Sequence, residues 1–111
     1  MTDRKRRLQR LVNAQGEMVR SLEAVLVHKK SRAVALQDAM AEIDRLATVA
    51  CASNPASLPA ILRSLTARDM ELKQVLEEIG GLRQRLLSAR AGEKMATSAF
   101  KRVRVLFFSE N

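Results

Sequence analysis

The sequence predicts an all-α fold, a long antiparallel two-helix coiled-coil hairpin. Three observations lead there. Apolar residues recur at alternating steps of three and four over two long stretches, the period of a left-handed supercoil. The stretches have nearly equal lengths and are separated by a single proline-bearing segment, Ala52-Ser53-Asn54-Pro55-Ala56-Ser57-Leu58-Pro59. The hydrophobic 47% of the chain is mostly Leu, Val, Ala and Met, with no Trp or Tyr and only three Phe. Compact cores use aromatic residues to bury large areas, so this composition suits a thin aliphatic seam.

The first helix is expected over about residues 4–51. Stepping three and four from Leu8 gives Leu11, Gln15, Met18, Leu22, Val25, Lys29, Arg32, Leu36, Ala39, Ile43, Leu46 and Ala50, and ten of these thirteen positions are apolar. The turn is expected over about 52–58. Pro55 and Pro59 disfavour helix at the residues before them, and Ser57 is a suitable N-cap with Pro59 in the first turn. The second helix follows over about 59–107. Its seam reads Leu58, Ile61, Leu65, Arg68, Leu72, Val75, Ile79, Leu82, Leu86, Ala89, Glu93, Ala96, Phe100, Val103 and Phe107, with thirteen of fifteen apolar. Gly80-Gly81 interrupts this arm at a cost of roughly 1 kcal/mol per glycine relative to alanine; the unbroken heptads make the pair a tolerated interruption or a local bend.

With 111 residues there is room for one domain, taken as a single hairpin over 1–111. A short connection makes the arms antiparallel neighbours. If the chain folds back near Pro55, facing residues have numbers summing to about 110. That sets Arg32 against Glu78, Lys29 against Gly81, and Glu93 against Glu17 near Arg20.

No catalytic constellation is present in the sequence. His28, the single histidine, stands beside Lys29 and Lys30 and has no nucleophile or further metal ligand near it in sequence; a solvated surface residue is the expected reading. Cys51, the single cysteine, reads as a small apolar residue in a chain suited to a reducing compartment. Glu77-Glu78 suits surface ion pairing, and no phosphate-binding loop occurs. The chain is therefore expected to be no enzyme, with no cofactor and no metal. No apolar run approaches membrane-spanning length, and no signal peptide is read after Arg4-Lys5-Arg6-Arg7; a cytoplasmic location is expected.

Charge is more informative. The formal charge is +8, which favours acidic partners. No charged residue lies between Ala47 and Leu62, whereas both ends of the chain are basic. A hairpin brings these ends together, making one basic tip from Arg4, Lys5, Arg6, Arg7 and Arg10 with Lys94, Lys101, Arg102 and Arg104. The last turns, Val103-Arg104-Val105-Leu106-Phe107-Phe108, are apolar on more sides than a two-stranded coil can bury. The candidate partner-binding set is thus Arg4, Lys5, Arg6, Arg7, Arg10, Phe100, Lys101, Arg102, Arg104, Phe107 and Phe108. Solubility with fraying ends is the plain alternative. Nucleic acid or an anionic membrane is a second class of partner, though few aromatic platforms exist for stacking bases. A homo-oligomeric scaffold is a third.

Arg7-Leu8-Gln9-Arg10-Leu11-Val12 at the start of a long helix resembles the opening of FliJ, the small flagellar export protein. The run from Leu82-Arg83-Gln84-Arg85-Leu86-Leu87 through Gly92-Glu93-Lys94-Met95-Ala96 to Lys101-Arg102 resembles the C-terminal helix of that family. The related O-type stalk proteins of type III secretion are similar. The chain is shorter than the family, and Phe107-Phe108 departs from its charged tail. The resemblance implies a non-catalytic stalk whose two-terminus end enters the pore of a hexameric export ATPase, with further contacts to the export gate and escort chaperones. It would place the chain in the cytoplasm, or peripherally at the inner membrane.

Overall fold

The computed structural model describes residues 2–109, and the side chains of residues 3–105. It is an all-α helical hairpin. Helix α1 runs Thr2–Ser53, a short 3-10 turn spans Pro55–Ser57, and helix α2 runs Leu58–Ser109. No strand occurs among the described residues.

The turn forms at Pro55, which keeps Asn54 extended, whereas Leu58 is already helical before Pro59, contrary to expectation, and Pro59 sits in the first turn of α2. Asn54 leaves the helical region at φ −151° and ψ 94°, and its side chain accepts a hydrogen bond from the Ala56 amide. This satisfies an amide that the start of the 3-10 turn would otherwise leave open. The Asn54 amide still donates to the Ala50 carbonyl at 2.8 Å, completing α1. Ser57 does precede α2 directly, but its hydroxyl donates back to the Asn54 carbonyl at 2.7 Å. Asn54 is therefore the capping residue of the turn, and Ser57 braces it from the other side.

Two compact units make up the structure: Met1–Leu26 with Leu82–Asn111, called here the terminal half, and Val27–Gly81, the turn half. In the terminal half, Val19, Leu22 and Leu26 of α1 are buried, as are Leu86, Ala89 and Ala96 of α2. In the turn half the buried residues are Ala33 and Leu36 with Val75 and Ile79. Within each unit the segments of α1 and α2 run antiparallel, since a rising number on one helix meets a falling number on the other. Lys29 meets Glu78 and Arg32 meets Glu71 in the turn half. Glu23 meets Arg90 in the terminal half, where the Cα of Gly92 also faces Gln15.

The seam of α2 is the expected one from Ile61 to Val103, every position being buried or half-buried. Leu58 departs from it, at 44% exposure. The seam of α1 has a different phase. It runs Leu8, Val12, Gln15, Val19, Leu22, Leu26, Lys29, Ala33, Leu36, Met40, Ile43, Ala47 and Ala50, all buried or half-buried. Half of the expected positions stand. The others move by one residue, so that Leu11, Met18, Val25, Arg32 and Leu46 are exposed, while Ala39 is half-buried along with Met40. Steps of four and three replace steps of three and four, because adjacent positions are both apolar and the facing helix selects between them.

The expected cross-helix pairs shift as well. Lys29 reaches Glu78 at 2.7 Å rather than facing Gly81, and Arg32 reaches Glu71 rather than Glu78. Glu71 and Glu78 are seven residues apart and so share one edge of α2. The two α1 cations divide these two carboxylates between them. Near the polar layer of the terminal half, Glu93 lies beside Gly16 and Arg20, close to the expected Glu17–Arg20 level; a Cβ on Gly16 would sit 3.8 Å from the Glu93 Oε1. Through Gly80-Gly81 the helix is continuous, and a Cβ on either glycine would meet nothing within 4 Å.

Candidate docking surface of the terminal half

The candidate binding residues all fall in the terminal half. Arg4, Arg6, Arg7 and Arg10 are exposed along the first turns of α1, and Lys5 is half-buried. An arginine run at a helix N-terminus opposes the helix dipole; Asp3 is the one acidic residue in that turn. On α2, Lys94, Lys101, Arg102 and Arg104 are exposed, while Phe100 and Val103 are half-buried on the seam. Phe100 thus contributes to the packing of the hairpin more than to a free surface. Val105 is 65% exposed and extends the apolar character of this end outward. The side chains of Phe107 and Phe108, expected to belong to the same surface, lie outside the described residues.

The charge asymmetry is larger than the terminal runs alone imply. By sequence the terminal half holds thirteen Lys and Arg against five Asp and Glu, and the turn half holds seven of each. The whole +8 excess therefore belongs to the terminal half. The turn half offsets its cations locally: besides the two cross-helix pairs, Lys73 meets Asp69 at 3.0 Å and Arg45 meets Glu42 at 2.6 Å. The Lys29 ammonium also holds the Glu78 carboxyl below its ordinary pKa, chiefly through their hydrogen bond. Both groups of that pair remain over a third exposed, at 35% and 38%, so it contributes little to stability.

His28 is exposed and Cys51 half-buried. Among the described residues, no group of three or more His, Cys, Asp or Glu is placed to hold a metal ion. No described helix is long and apolar enough to cross a membrane.

Sequence reasoning missed a second feature of this half. Met18, which the expected phase put inside the seam, instead lines an open groove with Gln15, Leu22, Arg85, Ser88 and Gly92. The signal was present in the adjacent apolar pairs Leu11-Val12, Met18-Val19 and Val25-Leu26: one helix cannot bury both members of each pair against a single neighbour.

No protein-family profile, curated protein or solved structure matches the chain.

Proposed function

We propose that this chain is a non-catalytic helical stalk or adaptor of a bacterial flagellar (type III) protein export apparatus, engaging the export ATPase hexamer through its basic terminal tip. The observation that carries the reading is the confinement of the entire +8 charge to the terminal half. A rod that works by insertion or docking needs one recognition end, and a concentrated positive field steers that end to an acidic surface. The family resemblance of Arg7–Val12 and of Leu82–Arg102 supports the identity of the partner, and the export gate and escort chaperones are its further contacts.

The reading is tested by ATP hydrolysis of the cognate export ATPase. Addition of the chain is expected to bind and stimulate the enzyme, and changing Arg4, Lys5, Arg6 and Arg7 together to Glu is expected to remove the effect. Absence of both binding and stimulation by the unaltered chain would overturn it.

The same concentration of charge favours a second reading, binding to nucleic acid or to an anionic membrane surface. Titration against DNA, RNA and anionic vesicles at two salt concentrations separates it from the first. A phosphate-bearing partner gives affinity that falls steeply as salt rises.

A further inference from the structure

Each heptad of α1 in the terminal half carries a third apolar position that α2 leaves uncovered. Leu11, Met18 and Val25 recur at seven-residue intervals, immediately before the seam residues Val12, Val19 and Leu26. They remain 45%, 52% and 41% exposed. A two-stranded coil needs two apolar positions per heptad, whereas a helix with two neighbours uses three. The pattern of α1 is thus that of a helix expecting a further helix at its side.

The surface beside Met18 has the shape for one. The groove there has a volume of about 540 Å³. Gly92 leaves the α2 wall without a side chain, and the Gln15 amide lies close against it; a Cβ on Gly92 would be 3.2 Å from the Gln15 Oε1. Arg85 is the one charged residue among those lining the groove.

We infer that this groove binds an amphipathic helix with acidic flanks, supplied by a partner protein. Met18 lines the groove, and Leu11 and Val25 lie one heptad to either side of it on α1, a surface onto which an incoming helix can lay anchors spaced three and four residues apart. Arg85 and the thirteen-to-five excess of basic residues in this half select carboxylates at the flanks of the incoming helix. A second copy presenting the same face would set its own basic half against this one, and that like-charge approach is opposed. The inference shares with the ATPase reading the basic excess of this half, but its lining residues differ from those of the terminal tip, so Met18→Glu and the reversal of Arg4, Lys5, Arg6 and Arg7 test the two separately.

The test uses the full chain and a labelled synthetic helix of about 21 residues, roughly 30 Å long, with Leu at alternating steps of three and four and Glu at the flanking positions. A matched peptide carries Lys in place of Glu. Fluorescence anisotropy at moderate salt is expected to show binding of the Glu peptide and none of the Lys peptide. Met18→Glu is expected to weaken binding at least about tenfold. Leu87→Glu, at an exposed position of the same half outside the groove, is expected to leave it within about twofold. Circular dichroism verifies that each variant keeps its helices; if Met18→Glu loses them, Met18→Ser provides the same reading. Failure of the Glu peptide to bind, equal binding of the Lys peptide, or equal losses from Met18→Glu and Leu87→Glu would overturn the inference. So would sedimentation showing a dimer of the unaltered chain that Met18→Glu converts to monomer, because the groove would then belong to a second copy.

Discussion

The terminal half and the turn half are built from the same two helices and the same heptad period, yet they differ in what they leave over. The turn half holds seven basic and seven acidic residues and pairs its cations across and along the helices, as in Lys29–Glu78 and Arg32–Glu71. The terminal half buries Val19, Leu22, Leu26, Leu86, Ala89 and Ala96 and carries a net charge of +8, while exposed apolar residues occur in both halves, as at Met18 and Val25 in the one and Val34 and Met70 in the other. A coiled-coil seam is satisfied by two positions in seven; what the other five carry decides whether the rod is inert or sticky. On the proposed reading, the charge-balanced turn half is the spacer and the terminal half, with its net positive charge, is the recognising end.

The largest expected stability effect probes the seam that both halves share. Leu26→Ala removes a side chain that is 7% exposed and is expected to cost about 2–3 kcal/mol, at the lower end for a core leucine because a two-helix seam is thin. Val25→Ala, one residue away at 41% exposure, is expected to cost about 0.5 kcal/mol or less. Urea denaturation of the two variants measures the difference. Equal losses would mean that the phase of α1 is wrong and, with it, the uncovered stripe.

A smaller effect of opposite sign belongs to the turn half. Gly80 and Gly81 lie inside a continuous helix with open space where a Cβ would stand. Changing either to Ala is expected to raise stability by about 1 kcal/mol. Thermal melts provide the measurement, and a loss of stability would show that this site needs the freedom of glycine.

The smallest effect is on acid stability. Glu78 has a depressed pKa in the folded chain, so its contribution is fully present above the ordinary value of 4.5 and is lost as pH falls through the lower folded value. Lys29→Met is expected to flatten the stability–pH curve in that acid range and to leave it unchanged near neutrality relative to its own plateau. An unchanged acid limb would remove the pair from the account.

Much of this comparison could be read from the residues alone, and the exceptions have physical causes. The place of the turn was readable because Pro55 keeps Asn54 out of the helix, whereas Leu58 is helical despite preceding Pro59, so the turn is shorter than the expected 52–58. On α2 the seam was readable because the residues flanking it are largely polar or charged, as at Asp69, Arg83 and Arg90. On α1 the phase was not, because Leu11-Val12, Met18-Val19, Val25-Leu26 and Leu46-Ala47 each offer two apolar neighbours. Arg32 beside Ala33 was the single discriminating signal, a charged residue that a seam avoids when its neighbour can replace it. The basic ends were plain in the sequence, but the neutrality of everything between Val27 and Gly81 gained meaning only once the contacts divided the chain there.

Recognition by the terminal half through its charge, as proposed, is open to a direct comparison. The proposed binding to an export ATPase should therefore be compared for two fourfold reversals of equal size: Arg4, Lys5, Arg6 and Arg7 to Glu in the terminal half, and Lys30, Arg45, Arg63 and Lys73 to Glu in the turn half. All but Lys5 of these eight are exposed. The first reversal is expected to abolish binding and the second to leave it nearly intact; equal loss from both, or loss from the second alone, would overturn the proposed role of the terminal half.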